Sequence, residues 1–186
     1  MTDPLARPAA RIALMVRELD RHQVRWVMSG STVAALYGAD LVPNDLDVVP
    51  SLDEDNLQRL AGLLDALDAV PAYLPPPMKG PTLEECRTWR PEPPTAEQLD
   101  HLFVTSLGML DVPPTLTGSY EHLMAGARTI TLAGVEVWIC DPWQVLDRLP
   151  AKARAKDIAR AEIYAALRER LRCDPDPDPR AVAALG

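Results

Sequence analysis

Proline is the residue that most limits how this chain can fold. Eight of its 19 prolines lie between residues 71 and 94, with three in a row at 75–77. Because proline lacks a backbone N–H and has a fixed φ, this stretch has room for one short helical turn near residues 83–87. The sequence therefore predicts a long proline-rich loop over residues 71–99, inside an otherwise regular chain.

Hydrophobic spacing on both sides of this loop predicts alternating helices and strands. Apolar residues at three- and four-residue intervals indicate amphipathic helices, and short apolar runs bounded by glycine indicate strands. The predicted elements are helices over 8–22, 32–37 and 52–70 (the last capped by Ser51 or Asp53), strands over 24–28 and 45–49, and hairpins turning at 107–108 and 133–134. We expect an α/β fold with a mixed, twisted sheet flanked by helices.

The C-terminal part is predicted to be helical. Asp141 begins a helix that runs to residue 149, and residues 151–171 form a long amphipathic helix. From residue 173 onward, Asp-Pro pairs and small residues predict a disordered tail. The predicted organisation is a core over 1–140, C-terminal helices over 141–172 that complete a cleft, and a tail over 173–186.

Charge and cysteine content exclude several classes of protein. With 19 Lys plus Arg against 27 Asp plus Glu, the formal net charge is −8, which argues against gripping nucleic acid through a broad basic face. The three cysteines form no close pair, which indicates a reducing compartment. The sequence has neither a signal-peptide pattern nor an 18-residue apolar run. We expect a cytoplasmic protein without membrane attachment.

Two aspartates, Asp45 and Asp47, are two positions apart on a predicted strand. Alternate side chains of a strand point to the same face, so these carboxylates are expected side by side. Neighbouring carboxylates repel unless a cation lies between them. Mg²⁺ suits the pair, since it usually takes one or two carboxylates together with phosphate oxygens. The alternative interpretation of this pair alone is a solvated strand end.

Gly30 and Ser31 lie at the turn between the first predicted strand and the helix after it. A glycine at a strand end lets a phosphate approach the backbone, and a helix N-terminus favours anions. Ser31 can cap the helix or donate its hydroxyl to a phosphate oxygen. A plain turn with a capping serine is the alternative for this dipeptide alone. An anion site beside a carboxylate pair, however, is what a nucleoside triphosphate with Mg²⁺ requires.

These motifs, in this order, resemble the signature of the nucleotidyltransferase superfamily. Residues 28–31 (Met-Ser-Gly-Ser) and 45–47 (Asp-Leu-Asp) are similar to its hG[GS]…DhD pattern, and residues 105–112 resemble the later strand that carries its third acid. Segments 118–123 and 151–157 are similar to the branch of AbiEii-type toxins and small antibiotic nucleotidyltransferases. The resemblance spans residues 8–165 and implies a polymerase-beta-like fold.

The resemblance also implies which residues do the chemistry. The implied catalytic and Mg²⁺-binding residues are Asp45, Asp47 and Asp111, and the implied nucleotide-binding residues are Gly30, Ser31, Lys152 and Lys156. The two lysines are four positions apart and share a helix face that could meet a triphosphate, although a solvated basic face is the alternative. Asp111 would also accept the proton of the attacking hydroxyl.

The chain departs from the family in one respect. Family members often carry Arg-x-Thr or Arg-x-Ser just before the first acid, whereas residues 41–44 here are Leu-Val-Pro-Asn. A substrate-orienting arginine is therefore missing at its usual place. In the proline-rich loop, Trp89 is a candidate for stacking on a base or an acceptor ring, and packing is its alternative role.

Three functions follow from these patterns. The resemblance implies Mg²⁺-dependent transfer of a nucleoside monophosphate from an NTP to a hydroxyl, by a toxin-antitoxin type enzyme that acts on RNA and has an antitoxin protein as partner. The alternative is an enzyme that modifies an aminoglycoside or a lincosamide, and the net charge of −8 fits a cationic aminoglycoside. The missing arginine motivates a third interpretation, a degenerate domain that binds NTP or a partner without catalysis.

Overall fold

The structure is a computed structural model that describes residues 2–78, 80–114, 118–147, 158–174 and 177–179. The helices are α1 (Ile12–Arg21), α2 (Gly30–Leu36), α3 (Glu54–Ala66), α4 (Leu83–Thr88), α5 (Ala96–Leu99), α6 (Tyr120–Met124), α7 (Pro142–Leu146) and α8 (Ala161–Cys173). The strands are β1 (Trp26–Ser29), β2 (Asp45–Pro50), β3 (Val70–Pro71), β4 (Leu102–Thr105), β5 (Gly108–Asp111), β6 (Arg128–Leu132) and β7 (Val135–Ile139). Within these ranges, no helix is both long and apolar enough to cross a membrane.

The strands form one sheet in the order β3-β4-β5-β2-β1-β7-β6. β1 runs antiparallel to β2, whereas β2 with β5 and β1 with β7 are parallel pairs. Both predicted hairpins are present, although the β4–β5 turn lies one residue earlier than predicted because Gly108 pairs with Thr105. The prediction of an α/β fold with a mixed sheet flanked by helices is confirmed.

The core is aliphatic and follows the predicted periodicity. α1 buries Ile12, Met15, Val16 and Leu19, which recur at three- and four-residue intervals. Phe103, the single phenylalanine of the chain, is fully buried on β4. Burial of such side chains is the main favourable contribution to folding, at about 25 cal/mol per Å² of apolar surface.

Asn56 connects the beginning of α3 to the neighbouring loops. It is fully buried; its Oδ1 accepts a hydrogen bond from the Arg25 N–H at 2.6 Å, and its Nδ2 donates to the carbonyls of Arg25 at 2.9 Å and Ser51 at 2.7 Å. Asp53, rather than Ser51, is the N-cap of α3, and its carboxylate accepts the Asn56 N–H at 3.1 Å. Because a buried amide must be hydrogen-bonded, Asn56 holds the first turn of α3 against the backbone of Arg25 and Ser51.

The proline-rich segment contains more structure than predicted. α4 is capped by Thr82, as the helical turn near residues 83–87 suggested, but a second short helix, α5, is capped by Thr95, whose Oγ1 accepts the Gln98 N–H at 3.2 Å. Pro71 pairs with Phe103 in the edge strand β3. The prediction of a loop over all of residues 71–99 is therefore wrong in these places, because threonine caps nucleate short helices between the prolines.

The predicted C-terminal helices also differ in extent. α7 is capped by Asp141 as predicted but ends at Leu146, since Asp147 is its C-cap, and residues 148–150 are outside the described ranges. Part of the helix predicted over 151–171 falls on residues 151–157, which are also outside those ranges. A turn at Arg160 precedes α8, which continues to Cys173, so Cys173 belongs to this helix and not to the tail.

Candidate active site

The three predicted aspartates lie on one face of two neighbouring strands. In the parallel pair of β2 and β5, Asp47 is directly opposite Asp111 and Asp45 is opposite Met109. Residues opposite each other in a sheet, and residues two apart along a strand, share a face. All three aspartates are half-buried. The structure therefore brings together the carboxylates that the sequence singled out.

The opposite face of these strands belongs to the core. Leu46, between the two aspartates of β2, and its partner Leu110 on β5 are both almost fully buried. This alternation fixes the register, because a slip of one residue would bury the carboxylates and expose the leucines. The core therefore holds the carboxylates on the face away from it.

Gly30 makes room for the carboxylate of Asp47. It has a left-handed φ of +66°, and a Cβ at this position would overlap Asp47 Oδ2 and lie 2.8 Å from Oδ1. The preceding Ser29 is opposite Asp47 in the antiparallel pair of β1 and β2. Glycine is thus required here by both backbone and space. The sequence suggested phosphate approach as its role, and the packing against Asp47 is an additional one.

Ser31 lies within the first turn of α2 and is half-buried. The N-cap of α2 is Ser29, so the interpretation of Ser31 as the cap is wrong. Its hydroxyl forms no hydrogen bond with any residue in the described ranges. The next residue, Thr32, donates from Oγ1 to the carbonyl of Asp45 at 3.4 Å, which joins α2 to the beginning of β2.

Sequence reasoning missed two buried residues beside the carboxylates. Ser29 is fully buried, and the Sγ of buried Cys140 donates to its Oγ at 3.7 Å. Burial raises the pKa of the Cys140 thiol to about 12, and the negative charges of Asp141 and Asp47 add to this effect. The thiol therefore stays protonated and is not a nucleophile. The one sequence signal for this pair was the position of each residue at the end of a predicted strand.

Trp89 packs on the other side of the sheet. Its ring centroid is 5.0 Å from that of Phe103 and 6.2 Å from that of His101. Phe103 is opposite Leu110, the neighbour of Asp111 in β5, so it points away from the carboxylates. The packing role of Trp89 is the one the structure supports, and its suggested stacking on a substrate ring is wrong for this site.

The carboxylates supply the ligand chemistry of a hard cation. No three His, Cys, Asp or Glu side chains in the described ranges are arranged to hold a metal ion by themselves. Mg²⁺ does not need such a cage, since it is usually held by one or two carboxylates with water and substrate phosphates completing its shell. The donor set therefore fits Mg²⁺ that arrives with a phosphate ligand. Lys152 and Lys156 are outside the described ranges, and their predicted role stays a prediction.

Comparisons with known proteins do not assign this chain to a family. No protein-family model and no curated protein matches the chain. Among solved structures it is similar to an antigenic nucleotidyltransferase-like protein from Paracoccidioides brasiliensis, with a TM-score of 0.48 and 15% identity over 96% of this chain and 94% of that chain. The function proposed below therefore rests on the site residues themselves.

Proposed function

We propose that this chain is an Mg²⁺-dependent nucleotidyltransferase that moves a nucleoside monophosphate from an NTP to a hydroxyl acceptor. One observation carries the proposal: Asp47 faces Asp111 across a parallel strand pair, with Asp45 on the same face. Three half-buried carboxylates on one face of the sheet suit a divalent cation with its phosphate ligands.

Each carboxylate has a role in the proposed reaction. Asp45 and Asp47 would hold Mg²⁺ against the triphosphate, where the ion would supply charge neutralisation. The acceptor oxygen attacks the α-phosphorus, the bond to pyrophosphate breaks, and the hydroxyl proton passes to Asp111. The half-burial of these residues strengthens their electrostatic interactions relative to bulk water.

The beginning of α2 is the proposed position of the phosphates. Gly30 leaves space at the Asp47 carboxylate, and Ser31 offers a hydroxyl that is not engaged by another described residue. Lys152 and Lys156 would add positive charge from the segment that precedes α8. This arrangement pairs donors for the phosphates with carboxylates for the ion.

The acceptor that becomes labelled distinguishes the possible functions of the chain. A toxin-antitoxin type enzyme would label RNA and would have an antitoxin protein as partner. An antibiotic-modifying enzyme would label a small hydroxylated molecule, and the net charge of −8 favours a cationic one such as an aminoglycoside. A degenerate domain would bind NTP and label neither.

The direct test is transfer of label from an α-³²P-NTP with Mg²⁺, offered either total bacterial RNA or a set of aminoglycosides and lincosamides. We expect labelled RNA, and in the Lys152→Glu, Lys156→Glu variant weaker labelling whose dependence on salt is shallower, because fewer phosphates are neutralised. NTP binding is measured separately in that variant. Label on the small molecules alone would favour the antibiotic-modifying function instead.

Asp111→Ala tests the proton acceptor. General-base catalysis contributes about 10²–10⁴-fold, so transfer should fall by at least that factor while NTP binding remains measurable. Near-normal transfer by this variant would remove Asp111 from the mechanism. If wild type and variant both bind Mg-NTP and neither transfers label to any acceptor, the degenerate binding domain is the better interpretation.

A further inference from the structure

The loop after α2 is in contact with the C-terminal helix α8. Gly38 has a left-handed φ of +91°, and the guanidinium of Arg170 occupies the space that a side chain at this position would need. A Cβ at this position would overlap Nη1 and lie 2.9 Å from Cζ of Arg170. A residue other than glycine would therefore have to displace this guanidinium.

α8 is held in place independently of this contact. It buries Tyr164, Leu167 and Leu171, and Arg168 Nη2 donates to the carbonyl of Leu146 at 2.5 Å, at the end of α7. α7 in turn packs against α2. The position of Arg170 is therefore set by the core and by α7, and not by the loop that it contacts.

The N–H groups of Gly38 and Ala39 donate to carbonyls of α2, and on the side that faces α8 the loop borders a cavity. A cavity of about 390 Å³ separates Gly38, Ala39 and Asp40 from α8, and Arg170 lines it. No ion pair joins Arg170 to another residue in the described ranges. Because no such ion pair holds Arg170, its contact with Gly38 depends on how the planar guanidinium fits against the glycine. Lysine has no planar group and would not make the same contact.

The loop connects two parts of the candidate site. Gly30 begins α2, Gly38 follows its C-terminus, and the chain reaches Asp45 at the beginning of β2. A shift of this segment would be transmitted to Asp45 and Asp47, because only Asn44 and a few preceding residues separate them from the loop. A misplacement of about 1 Å at a reacting group can cost on the order of 10²-fold in rate.

We propose that Arg170 is a positioning residue for the carboxylates: its guanidinium lies against Gly38 and fixes the segment that leads into Asp45 and Asp47. The effect on catalysis rests on the proposed nucleotidyl transfer, whereas the contact itself does not. The two parts are tested separately below.

A double-mutant cycle tests the contact. Gly38→Ala should lower the Tm in the wild-type background, because the left-handed backbone is strained and the methyl group displaces the guanidinium. In the Arg170→Ala background only the strain remains, so the same substitution should lower the Tm less. An equal loss of Tm in both backgrounds would overturn the proposal.

Amide exchange and kinetics test the positioning. Arg170→Ala should speed amide exchange over residues 39–47 and lower kcat for label transfer about tenfold or more, with a smaller change in KM. Arg170→Lys should show the same faster exchange and lower kcat as Arg170→Ala. The control variant is Arg172→Ala, on the same helix and paired with Glu169 at 3.4 Å, and it should keep the wild-type exchange and kcat. Unchanged exchange, or faster exchange with unchanged kcat, would overturn the proposal. If the wild type transfers no label, the proposed function fails, and exchange over 39–47 still decides whether Arg170 holds the loop.

Discussion

Gly30 has a left-handed backbone conformation and lies against a carboxylate of the candidate site, and its replacement gives the first prediction. Gly30→Ala combines left-handed strain, at about 1–2 kcal/mol, with displacement of the Asp47 carboxylate. Urea unfolding should show the loss of stability, and the stabilisation by Mg-NTP should disappear. Gly134→Ala is the matched control, since Gly134 also has a left-handed φ, of +82°, but has open space around it. Equal losses in the two variants would contradict the packing of Gly30 against Asp47.

The cysteines give a second prediction at this scale. Cys173 is exposed, whereas Cys86 and Cys140 are buried and burial raises the pKa of both thiols. A disulfide reagent such as Ellman's should therefore modify one thiol rapidly in the native protein and three after unfolding. In Cys173→Ser the rapid reaction should vanish. Rapid modification of a second thiol in the native protein would contradict the burial described above.

Which site residues were predictable from sequence depends on the sequence distance between partners. The common face of Asp45 and Asp47 was predictable, because residues two positions apart on a strand point to the same side. The contact of Ser29 with Cys140 was not, because it joins residues 111 positions apart through the parallel pairing of β1 and β7. No local pattern marks such a pair.

Among the elements, the first turn of α3 depends on a single buried amide. Asn56→Ala would leave the N–H of Arg25 and the carbonyl of Ser51 without the Asn56 side chain, whereas the carbonyl of Arg25 would keep the Ser51 N–H at 3.0 Å. Unsatisfied buried groups cost about 1–3 kcal/mol each, so we expect a loss of about 3 kcal/mol in urea unfolding. Gln58→Ala, an exposed amide on the same helix, should cost far less. A loss of under about 1 kcal/mol for Asn56→Ala would be inconsistent with this network.

The residue that precedes β4 is sensitive to pH. Burial lowers the pKa of His101 below its usual 6.5, and the nearby charge of Asp100 offsets this only in part. The unfolded chain therefore takes up the proton first as the pH falls, so stability is complete above about pH 6.5 and declines below it. His101→Gln should flatten the decline in unfolding free energy between pH 7 and about pH 5.5. His122→Gln, at an exposed site, should leave this decline in unfolding free energy unchanged. An unchanged slope in His101→Gln would contradict the burial of this ring.

Local patterns predicted the long elements better than the short ones. α1 and α3 have several turns of apolar periodicity, so their sequence alone specifies them. α5 has four residues, and its threonine cap follows two prolines that predict a loop. The turn at Arg160 lies within continuous helix-forming residues, so helix propensity does not predict it.

At the scale of the whole molecule, the site depends on strand order. β2 and β5 are neighbours although α3, the proline-rich segment and β4 separate them along the chain. A parallel pair needs such a crossover, and sequence periodicity does not specify which strands it brings together. The family resemblance, and not periodicity, led to Asp111 as the third acid, and the strand register places it opposite Asp47.

The central claim is that these carboxylates bind Mg²⁺ with a nucleoside triphosphate, and its most direct measurement is thermal unfolding with and without Mg-NTP. Ligand at 100 times its Kd adds about 2.7 kcal/mol to the folded state, which for a chain of this size raises the Tm by about 5–10 °C. We predict this shift for the wild type and for Glu136→Gln, which removes an exposed acid from β7, and no shift for Asp47→Asn. The absence of a Mg²⁺-dependent shift with all four NTPs, or an equal shift in Asp47→Asn, would contradict the account.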